Sequence, residues 1–217
     1  MMRQPSRLRP WAALLVLAVA CGGKYNAKVP DNLVRSLPYE SKIDLLEAEN
    51  DLFIAYDRVD ETENEVNRTR DQIRRAKHAE GIAGDEVGQA KDQATKEVAQ
   101  LTVEEVRARI EYLRARQTLN VQLREVEEVA RLCAVARYQL ARLLAVRKAK
   151  LKGSEGYKPA DFEAQAKSCD AEVADRRKGL KRDEDSLSKT RTDWEKRKEV
   201  LAKRTFDARA SPYVERL

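Results

Sequence analysis

The residue types that most often carry covalent or metal chemistry are one histidine and three cysteines: His78, Cys21, Cys133 and Cys169. A thiol can carry a lipid, join a second thiol or bind a metal, and a structural zinc site requires four ligands at short spacings. One histidine and three widely separated cysteines do not supply that spacing. The sequence also has no nucleophile elbow, no P-loop and no GxGxxG motif. We therefore predict that this chain is not an enzyme and has neither a metal nor a cofactor.

The leader that precedes Cys21 has the parts of a secretory signal peptide. Residues 1–10 carry three arginines and no acid, and residues 11–20, WAALLVLAVA, are an unbroken apolar run. A run of that length is too short to span a bilayer, which takes about 20 residues. We therefore predict that residues 1–20 are a signal peptide that is cleaved before Cys21.

Residues 17–21, LAVAC, resemble a lipobox, the cleavage motif of bacterial lipoprotein precursors. The resemblance implies that diacylglycerol is attached to the Cys21 thiol and that the new amino terminus is acylated. Several acyl chains would anchor the protein durably to a lipid bilayer. Because Gly22 is not Asp, the sorting rule known for enteric bacteria implies the outer membrane, with the protein facing the periplasm.

Two other interpretations of the leader stay open. Residues 18–20, AVA, also fit an ordinary signal-peptidase site, which would give a secreted protein, and an uncleaved leader would be an anchor. Lipidation of Cys21 leaves an even number of cysteines, as expected in an oxidising compartment. We therefore favour the lipoprotein. Residues 21–38 carry two Gly, two Pro and two Asn without a sustained period, which predicts a flexible tether.

The composition is typical of long helices. Charged residues make up 37% of the chain and aromatic residues 6%, with long stretches of Ala, Glu, Lys, Leu and Arg. The formal net charge of +6 falls to +3 without the three arginines of residues 1–20. Acids and bases are interleaved, and the sequence has no basic patch with interleaved aromatic residues. We therefore predict no nucleic-acid partner.

Heptad repeats predict a coiled coil over residues 39–207. In the first helix, predicted over residues 39–78, large residues recur every seven positions: Leu45, Leu52, Val59, Val66 and Ile73. A second row, three positions later, contains only Ala and Thr. Two filled rows over five repeats indicate a close antiparallel helix pair. His78 is expected at the end of this helix, where a cation interacts favourably with the helix dipole.

Two further helices are predicted over residues 85–151 and 160–205, followed by a tail at 208–217. The third helix has one apolar row, which includes Val173, Leu180, Leu187, Trp194 and Leu201, and a mostly polar companion row. Short connections make neighbouring helices antiparallel. We therefore predict an all-α, elongated antiparallel coiled coil of three long helices in two hairpins. The first helix should cover the first half of the long one and the third its second half, in a rod of about 100 Å.

Cys133 and Cys169 both lie on apolar rows, on the second and third helices. A disulfide between them would pin the second hairpin, and the connecting loop would have to fold back along the overhanging helix end to allow it. The alternative is a pair of small buried thiols that do not meet.

The predicted function is that of a membrane-anchored coiled-coil scaffold, spacer or adaptor in a periplasmic envelope complex. Its partners would be the bilayer, through acylated Cys21, and an envelope protein or a second copy of the chain. A holdase-like chaperone is the alternative from another class. The segments IEYLRARQTL and ARYQLARLLAV resemble the periplasmic helices of outer-membrane efflux channels and adaptors. That resemblance, which is limited to helical composition, implies an accessory role in an efflux or secretion assembly and assigns no residue.

Overall fold

The computed structural model describes residues 27–206, and every regular element in that range is an α-helix. The helices are α1 (Asp31–Arg35), α2 (Tyr39–Gln89), α3 (Gln93–Lys148), α4 (Pro159–Gly179) and α5 (Lys181–Thr205). Only Leu180 separates α4 from α5, and its backbone is itself right-handed helical (φ −66°, ψ −24°), so the two form one arm. The predicted class, all-α with three long antiparallel helices, is confirmed.

The helix α3 is the central element, with α2 on one side and the α4–α5 arm on another. No Cα atom of α2 lies within 8 Å of α4 or α5. Ion pairs show the antiparallel register of α2 along α3, from Lys148–Asp44 at 2.7 Å to Arg107–Glu80 at 2.8 Å. The end at which α3 finishes and α2 and α4 begin is here called the base, and the opposite end the tip.

Both outer arms run along the whole of α3, so the expectation that they overlap only near its middle was wrong. The α4–α5 arm is joined to the base half of α3 by Arg137–Asp170 and to its tip half by Arg204–Glu97. The 56 residues of α3 correspond to about 84 Å at the helical rise. The rod is therefore shorter than predicted and three helices wide throughout.

The turn between α2 and α3 lies at residues 90–92, so the predicted end of the first helix near residue 78 and the predicted start of the second at residue 85 were wrong. The helix α2 continues through Gly81, Gly84 and Gly88 to Gln89. Glycine costs about 1 kcal/mol within a helix, but all three glycines face open space. The neighbouring Ala79 and Ala83 are buried against α3, and this packing outweighs the local cost of the glycines.

The start of α3 is fixed by Asp92. Its Oδ1 accepts a hydrogen bond from the Thr95 N–H at 2.8 Å, and its Oδ2 accepts one from the Thr95 hydroxyl at 2.7 Å. These bonds satisfy donors that the first helical turn leaves unpaired. The first of them is also the main cause that lowers the pKa of the Asp92 carboxyl from its ordinary value of 3.8.

The predicted heptad rows face α3. Leu45, Val66 and Ile73 are buried in the α2–α3 seam, and Leu180 and Leu201 are buried on the other arm. The remaining predicted seam residues are half-buried: Leu52, Val59, Val173, Leu187 and Trp194. The middle of the α2–α3 seam is polar, because the Asn120 amide donates to the Thr69 hydroxyl at 3.0 Å. The core therefore consists of apolar clusters spaced along the rod.

Replacement of Asp92 by Ala should lower the melting temperature at neutral pH, since the N-cap acceptor is lost, whereas Asp92→Asn should keep an acceptor and most of the stability. The folded-state pKa of Asp92 is lowered, so its contribution is present above pH 3.8 and is lost as the pH falls through the folded value. Thermal unfolding followed by circular dichroism should show the gap between the wild type and Asp92→Ala closing in acid. A gap that is unchanged in acid would contradict this assignment.

Candidate functional site

Cys21 lies outside the described residues, and the nearest described residue, Ala27, is bound to the body of the protein. The Ala27 N–H donates to Gln165 Oε1 at 3.1 Å, and the Val29 N–H donates to Gln139 Oε1 at 3.0 Å. These two bonds join the entering chain to both α4 and α3. The prediction of a flexible tether over residues 21–38 is therefore wrong for residues 27–38, which are packed onto the base.

Apolar side chains hold this N-terminal segment, defined as residues 27–37, against the base. Val29 is fully buried and Leu37 is nearly so, in one cluster with Leu143, Val146 and Phe162. Burial of a side chain of this size contributes about 1.5–3 kcal/mol. The N-terminal segment is thus part of the hydrophobic core at the base of the rod.

A charged hydrogen bond adds to this apolar contact. The Arg142 guanidinium donates to the Asp31 carboxylate, and the Arg142 side chain is only 8% exposed, whereas that of Asp31 is 62% exposed. The hydrogen bond from Arg142 holds the pKa of the Asp31 carboxyl below its ordinary value. A nearly buried cation requires such a partner, so Asp31 ties the N-terminal segment to α3.

Cys133 and Cys169 form a disulfide that joins α3 to α4. Their Cα atoms are 5.4 Å apart, and both side chains are buried. The prediction of a bond is confirmed, and the alternative of two separate thiols is wrong. A buried disulfide is typical of proteins in an oxidising compartment outside the cytosol.

The connection between α3 and α4 explains how the two cysteines come into register. The helix α3 continues further beyond Cys133 than α4 extends before Cys169, and residues 149–158 absorb the difference. Tyr157 packs against the base cluster, and its carbonyl accepts a hydrogen bond from Arg147 at 2.9 Å. The loop therefore folds back along the overhanging end of α3, as the sequence required.

The surface of the base half carries an unpartnered apolar stripe on α2, formed by Tyr39, Ile43, Leu46 and Phe53. Their spacing of four, three and seven places them on one face of the helix. Tyr39 is 75% exposed and Phe53 is 61% exposed. Exposed apolar stripes with polar surroundings mark sites of interaction with proteins or membranes.

A groove of about 570 Å³ lies between α2 and α4, with α3 as its floor. Its walls include apolar residues from all three helices: Ile54, Ala55, Ala130, Ala134 and Val173. Charged pairs stand beside them, among them Arg177–Glu127 at 3.6 Å. Because charged side chains of all three helices, including Glu127 and Arg137 of the floor, line the groove together with the apolar ones, it suits a polypeptide segment better than a small apolar ligand.

His78 and Trp194, which the sequence singles out, both have structural roles or positions without a sign of chemistry. His78 is exposed within α2 and not at its end. The Trp194 indole stacks on Tyr112 with ring centroids 5.0 Å apart, and its N–H donates to the buried Glu105 carboxylate at 2.7 Å. Within residues 27–206, no group of His, Cys, Asp and Glu is placed to hold a metal ion, and no helix is long and apolar enough to cross a membrane.

The double variant Cys133→Ala/Cys169→Ala should lower the free energy of unfolding by about 3–4 kcal/mol, since the bond restrains the unfolded chain across a separation of 36 residues. Urea titration followed by circular dichroism measures this difference. A reductant should lower the midpoint of the wild type and leave the double variant unchanged. An equal response of the two proteins would show that the bond does not stabilise the fold.

No protein-family model, no curated protein and no solved structure matches this chain.

Proposed function

We propose that this chain is a lipid-anchored protein of the bacterial cell envelope, held on the outer membrane through acylated Cys21 and facing the periplasm. One observation carries the proposal. Cys133 and Cys169 are bonded to each other, so Cys21 is the one cysteine of the sequence that the disulfide leaves over. It directly follows a leader with the pattern of a signal peptide, in a chain whose disulfide favours an oxidising compartment.

The body attached to this anchor is proposed to act as a scaffold, spacer or adaptor for an envelope complex. A rod of about 84 Å by helical rise presents long helical faces at a distance from its base. Leu46 and Phe53 of the α2 stripe, and the groove between α2 and α4, form two surfaces that accept a helix of a partner protein. Helical components of an efflux or secretion assembly would present helices that fit such surfaces.

A second candidate, a holdase-like chaperone, is supported by the exposed stripe of Tyr39, Ile43, Leu46 and Phe53. Aromatic and aliphatic side chains that face solvent bind unfolded polypeptides with little sequence preference. A scaffold binds one partner in a fixed register, whereas a holdase binds many clients. The number of partners therefore distinguishes the two functions.

Cys21→Ser should abolish incorporation of a clickable palmitate analogue in a bacterial host and move the protein from the membrane fraction to the soluble periplasmic fraction. The matched control is Cys133→Ala/Cys169→Ala, which removes the other two sulfurs and should keep the label. Intact mass of the mature protein gives a second measurement. An unlabelled wild type cut after Ala20 would indicate plain secretion, and a retained leader would indicate an uncleaved anchor.

A photo-cross-linking side chain at Leu46 in intact cells should yield one product of defined mass if the α2 stripe binds a single envelope partner. The product should disappear when Phe53→Ser is added, because both residues lie on the same stripe. A probe at Lys77, exposed in the tip half of α2, is the positional control. A broad distribution of products, together with suppressed aggregation of unfolded outer-membrane proteins by the purified chain, would favour the holdase instead.

A further inference from the structure

We infer that the base of the rod is a docking surface for an anionic phospholipid bilayer, in addition to the acyl anchor. The inference extends the proposed lipidation of Cys21 and rests on it for the distance between bilayer and base. It is also supported by the basic and the exposed apolar side chains of the base. The surface bound is that of the membrane in which Cys21 is anchored.

The position of the N-terminal segment places the anchor close to the base. Six residue steps separate Cys21 from Ala27, and a fully extended chain covers at most about 22 Å in six steps. Ala27 is bonded to Gln165 in the second turn of α4, and Val29 is bonded to Gln139. Gln139 lies about 14 Å along the axis from the end of α3. An anchored Cys21 thus holds the bilayer near the base and far from the tip.

The base carries basic side chains that an anionic bilayer would attract. Residues 147–158 contain five basic side chains and one acidic side chain, Glu155. Lys150, Lys152 and Lys158 are exposed, and so are Lys28, Arg35 and Lys42 on the adjoining N-terminal elements. Clusters of lysine and arginine beside a membrane anchor are attracted to anionic headgroups.

Acids of the base offset part of this charge. Asp31 accepts a hydrogen bond from Arg142, and Asp44 lies 2.7 Å from Lys148. The Glu155 carboxylate accepts the Gly153 N–H at 2.8 Å. The exposed lysines of the loop have no ion pair with any residue in the described range. The exposed acids Glu40, Asp161 and Glu163 lie at the neighbouring helix starts, so the positive charge of the base is concentrated in residues 147–158, with five basic side chains to one acidic.

Apolar groups accompany the basic ones. Tyr39, at the first position of α2, is 75% exposed, and Ile43 one turn later is 50% exposed. A tyrosine ring with an apolar body and a polar hydroxyl is suited to the headgroup region of a bilayer. The long stems of neighbouring lysines can lie along the same boundary while their ammonium groups reach the phosphates.

The test uses residues 21–217 with Cys21→Ser, which keep every described residue and cannot be acylated at that position. Co-sedimentation compares vesicles of phosphatidylcholine alone with vesicles that also contain phosphatidylglycerol. We expect binding to the anionic vesicles to exceed binding to the neutral ones by more than about tenfold and to fall as salt is added. Lys152→Glu/Lys158→Glu should abolish most of this difference, and Tyr39→Ser/Ile43→Ser should weaken the binding.

The matched control is Lys91→Glu/Lys96→Glu, an equal change of charge at exposed lysines of the tip, which should leave binding unchanged. Circular dichroism confirms that each variant is folded. Equal binding to both kinds of vesicle, no binding, or equal loss in the base and tip variants would each overturn the inference. Palmitate labelling of Cys21 is measured separately in cells. A labelled wild type without vesicle binding would therefore leave the anchor standing and remove only the docking surface.

Discussion

The rest of the structure depends on α3, because α2 and the α4–α5 arm pack on this helix and not on each other. Each arm therefore buries one narrow face and leaves a wide face to solvent, which explains the high fraction of charged residues. Burial is distributed along the seams in separate clusters, with polar contacts such as Asn120 to Thr69 between them. Stability then accumulates with the length of overlap, and each stretch of seam depends mainly on the residues beside it.

The seams could be predicted from the sequence, whereas the length of the first helix could not. Heptad rows are a local pattern that directly indicates the buried face of a helix, so the burial of Leu45, Val66 and Ile73 could be predicted. Gly81 and Gly84 indicate a helix end on local grounds, and only the burial of Ala79 and Ala83 against a distant part of α3 overrides them. The true turn had its own signal in Asp92, an N-cap residue three positions before Thr95.

At the candidate site, the disulfide could be predicted because both cysteines occupy apolar rows of neighbouring helices. The docking of residues 27–37 could not, since it depends on side chains far away in the sequence. Gln139 and Arg142 resemble solvent-facing interruptions of an apolar row, yet both are buried and receive the N-terminal segment. The spacing of Val29, Leu33 and Leu37 was the one local sign that the segment has an apolar face. Cys21 itself remains a prediction from its motif.

The antiparallel overlap of three full-length helices has a mechanical consequence. Ala27 is fixed near the base, and α5 ends at the tip, so a pull between the two ends of the described chain acts parallel to the helix axes. The seams are then loaded in shear, and all their contacts resist at once instead of opening one after another from an end. Since the covalent bond between α3 and α4 lies in the base half, only noncovalent contacts resist shear between α3 and the arm beyond it. A force applied across such a rod is carried by its whole length.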